Sequence, residues 1–330
     1  MTPIAADPEF RALLRYSAAI GADPALVQGA GGNVSLKRDG VLWVKASGTW
    51  LARAGAQDIM VPLALAPLQD AIRADDMAAM EACARFVRTG DNPSGLRPSI
   101  ETTMHALLPH PVVVHVHCVE TIAWACRADA EATLTPLLAG LAWRFVPYIR
   151  PGAPLTREIA ARLRPGTDVL VLGNHGLVVG AATVAAAGQL VAEVARRLRR
   201  TPRPVPQAGA LPQVAGYRPA GDALAHGTAT DPRSLEVARR GSLYPDHVIF
   251  LGPGIAEAPA GNPAMLVVAG QGVLLREDAS PGAVALARCL ADVAARLDPA
   301  EPLRVFSAAE ESELLGWDAE QYRKALAAGQ

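Results

Sequence analysis

The stretch PVVVHVHCVE (111–120) sets two of the chain's seven histidines, His115 and His117, inside a run of valines. Residues i and i+2 of a strand point to the same side, roughly 6.5–7 Å apart along the backbone. His115 and His117 therefore share one face, with Val114 and Val116 on the other. Two imidazoles so spaced can converge on one ion at about 2.0–2.1 Å, the ordinary zinc–nitrogen distance. Taken alone, the pair fits hydrogen-bonded core histidines as well as metal ligands.

Two other residues enlarge the set. Glu101, in RPSIETTMH (97–105), falls in a short helix next to the histidine strand. Its carboxylate suits a metal, a proton or a helix N-terminus. His175, in GNHGLVVG (173–180), sits at a glycine-flanked turn between two apolar strands. Three histidines with one position left open form a catalytic rather than a structural zinc arrangement.

The glycine-rich stretch GAGGNVS (29–35) can turn its backbone N–H groups toward an anion, with Asn33 and Ser35 adding polar side chains. It is not a dinucleotide fingerprint. Val34 occupies the third glycine position, and the stretch precedes a strand rather than a helix. GPGIAE and GQGVLL fail the same test. Lys37 and Lys45 flank these loops and read as exposed strand lysines. His105 and His110 read as structural or solvated, His226 as a loop residue and His247 as a satisfied strand-edge histidine.

The elements that must position these groups follow from local signals. Asp7-Pro8 caps and opens a helix that stops near Gly21. NVSLK and VLWVKA are short strands joined at Asp39-Gly40, and Ser47-Gly48 ends the second. A helix is expected over 75–90, with Gly90 behind it, and another from about Ile100 to Leu108. The valine run is a strand and ETIAWACRA a helix. DVLVLGNHGLVVGA (168–181) reads as two strands around a turn, followed by a helix over about 183–199. Five prolines across 201–219 mark a linker, giving domains at 1–200 and 220–330.

The second part echoes the first. VVAGQGVLL (267–275) lines up with VLGNHGLVV (171–179), each ahead of an alanine-rich helix, with Gln271 in place of His175. HVIFLGPGI (247–255) similarly resembles VLWVKASGT (41–49).

Composition narrows the function class. A net charge of −1 gives no global field for nucleic acid or acidic membranes, and ARRLRR (195–200) reads as the wet end of a helix. No apolar run reaches membrane-spanning length. The four cysteines form no CxxC pair and the first ten residues lack a signal-peptide pattern, which points to a reducing, cytoplasmic setting.

In combination, GGNVSLK, VLWVKASG, RPSIETTMH, HVH and GNHGLVVG make residues 6–200 resemble the class II aldolase/adducin family, the fold of fuculose-phosphate and rhamnulose-phosphate aldolases. The proline break and the tail motifs YPDHVIF and LLGWDAEQYRKAL are most similar to the aldolase half of bifunctional rhamnulose-phosphate aldolase/alcohol dehydrogenase proteins, here ending where a dehydrogenase domain would begin. The resemblance implies a three-layer α/β/α fold with a mainly antiparallel central sheet and the metal at its edge, plus a smaller C-terminal α/β segment. It implies zinc, or another divalent metal, on His115, His117 and His175, with Glu101 as acid/base. Asn33, Ser47 and Gly48 match phosphate-binding loops, and Ser99 stands near the place of a further phosphate-contacting serine, with Ile100 between it and Glu101 where fuculose-phosphate aldolase has no intervening residue. A tyrosine proton donor would come from among Tyr148, Tyr217, Tyr244 and Tyr322.

The activity so implied is retro-aldol cleavage of a phosphorylated ketose through a metal-stabilised enediolate, by a homo-oligomer. Epimerisation or decarboxylation of a sugar-acid phosphate would use the same parts. An adducin-like assembly role would not need the metal ligands.

Overall fold

The computed structural model describes residues 4–316. Chain order is α1 (Pro8–Gly21), β1 (Asn33–Arg38), β2 (Val41–Lys45), β3 (Met60–Ala64), α2 (Leu65–Arg73), α3 (Met77–Glu81), α4 (Thr102–Leu107) and β4 (Val112–Val116). Next come α5 (Val119–Ala125), α6 (Ala130–Leu137), β5 (Trp143–Val146), α7 (Ala153–Arg162), β6 (Val169–Leu172), β7 (Gly176–Ala181) and α8 (Val184–Arg197). The remainder holds β8 (Tyr217–Pro219), α9 (Gly227–Thr230), α10 (Pro232–Arg239), α11 (Pro245–Leu251), β9 (Met265–Val268), β10 (Gly272–Arg276), α12 (Pro281–Ala294) and α13 (Ala308–Leu315).

β1 to β7 form one sheet in the order β3-β2-β1-β4-β7-β6-β5, antiparallel except where β5 runs parallel to β6. Asp7 caps α1 by accepting from the Glu9 and Phe10 amides, with Pro8 at the first helical position. The β1–β2 hairpin turns on Asp39 and Gly40, both at positive φ as its two-residue loop requires. Helices cover both faces. Val112, Val114 and Val116 pack with α1 and α8, whereas Val113 packs with Met104 of α4 and with Leu155 and Ile159 of α7. Each valine buried this way contributes about 1.5–3 kcal/mol.

The second sheet, β8-β10-β9, carries α9 to α13 beside it. Its core is continuous with the first part: Val119, Ile122, Ala123 and Cys126 pack in the same cluster as Val248, Leu286 and Leu290. Polar ties reinforce this junction. The Arg304 amide donates to Cys126 O at 2.7 Å, and Arg127 and Arg200 both pair with Glu301. Arg200, at the end of the arginine-rich run, also stacks its guanidinium 4.5 Å from the Trp124 ring centroid. Among the described residues, no helix is long and apolar enough to cross a membrane.

Several local expectations are corrected. The helix expected over 75–90 ends at Glu81, and a 3-10 turn follows over Cys83–Phe86. Val87 then bridges Leu63, and the Arg88 amide donates to Pro62 O. The open edge of β3 recruits this segment because its backbone groups need partners.

HVIFL is helix, not strand, and every residue of α11 is buried. An apolar run covered on all sides carries no period to tell the two apart. His247 is therefore a helix residue whose Nε2 lies 2.7 Å from Gly254 O, and the likeness of 247–255 to 41–49 does not extend to structure. His226 lies in a 3-10 turn, buried, with Nδ1 accepting from the Val273 amide. The echo of 171–179 in 267–275 does extend to structure: β6–β7–α8 and β9–β10–α12 are both antiparallel hairpins followed by a helix of 14 residues.

Candidate metal centre

β4 is the middle strand of seven, so the histidines stand at the end of the central strands rather than at the sheet's lateral edge. His115 occupies the penultimate position of β4 and His117 lies just beyond it. β7 pairs with β4 so that His115 faces Val178 and Val116 faces Leu177. The β6–β7 turn therefore arrives beside His117. Asn174 takes a left-handed conformation (φ 53°) in that turn, and the His175 amide donates to Leu172 O.

The three imidazole rings form a triangle with centroids 4.8–5.1 Å apart. Each offers a ligand atom, all within 4.8 Å of one another. His115 Nε2 and His117 Nε2 are 3.2 Å apart. That is close to the separation of about 3.3 Å subtended by two nitrogens on one tetrahedral zinc at about 2.0–2.1 Å. His115 Nδ1 lies 3.0 Å from Leu177 O. An N–H at Nδ1 donating to that carbonyl leaves the Nε2 lone pair facing the centre.

Glu101 stands just ahead of α4 and points into the same space. Its Oε1 is 3.3 Å from His115 Nε2 and 3.5 Å from His175 Nε2. That oxygen is buried and receives no well-aligned hydrogen bond among the described residues. Burial works to raise the Glu101 pKa, but the charge and hydrogen bonding of His115 together with the charges of His175 and His117 outweigh it, so the carboxyl titrates well below its usual range. Burial likewise opposes protonation of His115, and the Glu101 carboxylate overcomes it, moving that pKa up. For His175 the balance falls the other way: burial, then the charge on His115, take it down to about 3 against a smaller upward pull from the Glu101 carboxylate. An ionised carboxylate facing mostly neutral imidazoles is a donor set that fits a divalent metal.

The cleft in front of these groups is lined by Gly31, Gly32, Ser47, Gly48, Ser99 and Lys45. Ser99 Oγ accepts from the Glu101 amide at 3.2 Å, tying the two together. Asn33 lies opposite His115 across the β1–β4 ladder, fully buried, with neither amide atom hydrogen-bonded among the described residues. Lys45 is not the exposed strand lysine expected. It is 2% exposed and its Nζ donates to Ala30 O at 3.0 Å, because β2 lies inside the sheet and its end abuts the glycine loop. Lys37 instead donates to His110 O, away from the cleft, and burial lowers its pKa to about 7.

No tyrosine among the described residues lines the cleft. Tyr244 is a core residue, Tyr148 stacks on Phe306, and Tyr217 donates to Pro263 O. Tyr322 lies outside the described residues. His105 is buried against Ser35 Oγ, and His110 pairs with Asp168.

One residue in the cleft escaped sequence reasoning. Asp246, in the first turn of α11, places Oδ2 3.0 Å from His117 Nδ1. Its only local signal is its position in YPDHVIF, where an aspartate after proline reads as a helix-start residue.

A mainly antiparallel sheet between helical layers, with three histidines and a carboxylate at the end of its central strand, defines an α/β protein built around a candidate metal centre. Residues 11–200 match the model of the Class II Aldolase and Adducin N-terminal domain, and the chain belongs to that family. A Bacillus subtilis (strain 168) protein described as the uncharacterized oxidoreductase YuxG is 32% identical over 177 residues. That alignment covers 50% of this chain and 25% of the relative, so the chain spans about a quarter of the length of the curated relative it matches.

Among solved structures, the N-terminal class II aldolase domain of a conserved Thermoplasma acidophilum protein aligns with a TM-score of 0.50 and 27% identity. It covers 58% of this chain and 92% of its own. YgbL of Klebsiella pneumoniae, described as a putative aldolase/epimerase/decarboxylase, aligns at 22% identity with a TM-score of 0.42, covering 57% of this chain and 87% of its own.

Proposed function

We propose that this chain is a class II aldolase, a carbon–carbon lyase that cleaves a phosphorylated ketose with the help of a divalent metal. The observation that carries the reading is the convergence of three histidine Nε2 atoms with the buried Glu101 Oε1. On this reading residues 1–200 are the catalytic domain, 201–219 the linker and 220–330 a smaller α/β domain.

Zinc or another divalent metal held by His115, His117 and His175 would supply a Lewis acid for the ketone and hydroxyl oxygens of the substrate. The chain's own residues do the rest. Glu101, ionised and shielded from bulk water, is the group placed to move the proton on the carbon beside the ketone. Ser47, Gly48 and Ser99 face the cleft and Asn33 sits behind it with an unused amide, a donor set suited to the substrate phosphate. Lys45 adds a positive charge on the same wall. Fixing the phosphate fixes the reacting carbons relative to Glu101, and this orientation is worth several orders of magnitude in rate.

Protein purified without chelator should carry close to one equivalent of a divalent metal and turn over at least one phosphorylated ketose. Glu101→Gln should keep the metal and lower kcat by about 10²–10⁴-fold, the usual worth of a general acid/base. Metal-loaded protein that is inert toward phosphorylated ketoses but acts on 3-oxo acids would replace cleavage with decarboxylation. A metal-free protein inert toward both would remove the enzyme reading.

A further inference from the structure

We infer that the C-terminal unit completes the metal centre, with Asp246 acting as a positioning residue for His117 while the same segment clamps the turn that carries His175. The inference rests on the metal reading of the three histidines and adds a role to residues outside the matched 11–200 region.

Asp246 is 2% exposed, and a carboxylate withdrawn from water that far is costly unless something pairs it. Its Oδ2 lies 3.0 Å from His117 Nδ1, within ion-pair reach though not in line for a well-aligned hydrogen bond. A proton kept on Nδ1 by the negative charge beside it leaves Nε2 of His117 as the lone-pair nitrogen, the atom that faces His115 Nε2. A carboxylate behind a ligating imidazole fixes its tautomer and ring orientation and raises its basicity. His115 has only a backbone carbonyl in that role, Leu177 O, so the two strand histidines are supported by acceptors of different charge.

The glycine loop is shaped around this contact. A Cβ on Gly31 would lie 2.8 Å from His117 Nδ1 and 3.1 Å from Asp246 Oδ2. Only a residue without a side chain lets the backbone pass there while Asp246 reaches the imidazole.

Asn174 supplies the second link. Its Nδ2 donates to Leu243 O at 2.9 Å and to Arg304 O at 2.8 Å, and its Oδ1 accepts from Arg304 at 3.1 Å. The residue just before His175 thus directs its side chain wholly to the C-terminal unit. Leu243 and Asp246 are three residues apart in one segment, which His247 pins by accepting from the Leu243 amide and lying 2.7 Å from Gly254 O. One short piece of chain therefore supports two of the three imidazoles.

The test compares wild type, Asp246→Asn and Asp246→Ala for Zn2+ and Co2+ affinity by chelator competition. It adds the visible spectrum of the Co2+ form and thermal melting of the metal-free proteins. Asp246→Asn keeps the side-chain shape, so it carries the test should Asp246→Ala fail to fold. The expected result is Zn2+ binding weaker by about 10–100-fold and a displaced Co2+ band in Asp246→Asn, beyond any change in the fraction folded. Affinity per folded molecule and a Co2+ spectrum equal to wild type would overturn the inference while leaving the metal reading intact. Wild type that takes up neither ion would overturn both.

Discussion

The two β-hairpin–helix units, β6–β7–α8 and β9–β10–α12, share a local pattern and differ in what surrounds their turns. The first turn holds Asn174 and His175 and is buried, with Asn174 fully enclosed and His175 5% exposed. The second holds Gly270 and Gln271 and stands in solvent. Both turns place a residue at positive φ, Asn174 at 53° and Gly270 at 72°. Local chemistry therefore makes the hairpin in each case. Enclosure by β4 on one side and by Leu243 and Arg304 on the other turns the first into part of a site.

The sharpest way to break this comparison is at the residue each turn presents. His175→Ala should release the metal and lower activity on the order of 10³-fold or more. Gln271→Ala should leave metal content and kcat/KM unchanged and shift stability by no more than about 0.5 kcal/mol. Equal effects on the two turns would dissolve the distinction.

The next largest effect lies in the turn backbone. Asn174→Ala loses the bonds to Leu243 O and Arg304 O and puts alanine in the left-handed region, a combined cost of about 2–4 kcal/mol. Gly270→Ala meets the backbone penalty alone, about 1–2 kcal/mol. Urea unfolding of both variants measures the difference, which is the worth of the clamp.

The smallest effect, and one shared by both halves, is the pH response. Burial lowers the His105 pKa to about 3 and the His247 pKa to about 4, from an ordinary value of 6.5. Both are neutral when folded and take up a proton more readily when unfolded. Their stabilisation is present above about pH 6.5 and is lost as pH falls toward those values. The slope is about 1.4 kcal/mol per pH unit for each once the unfolded histidine is protonated. Urea midpoints of metal-free protein at pH 7.5 and 5.5 check the sign. His247→Gln should flatten the dependence.

Much of the first unit is legible in the sequence because its signals are local. Asp7-Pro8, Asp39-Gly40 and the alternation of His115 and His117 with Val114 and Val116 each act within a few residues, and the structure repeats them. The helix expected over 75–90 failed because the partner of Val87 is Leu63, on an edge strand that no local window contains. Lys45 read as exposed for a similar reason: alternation says which side a residue takes, not whether that side is covered. HVIFL forms a helix where a strand is expected because complete burial erases the period that separates the two.

The types and spacing of residues determined by themselves which groups could form a centre: two imidazoles on one strand face, a third at a tight turn and a glutamate ahead of a helix. Short-range geometry suffices for that, since a strand repeats every two residues wherever it lies. Only the tertiary structure decided that the centre sits at the end of the middle strand and that Asp246, 129 positions beyond His117, closes on it. Sequence separation carries no information about such an approach. It arises when the apolar faces of α5 and α12 pack together and bring the start of α11 to the glycine loop.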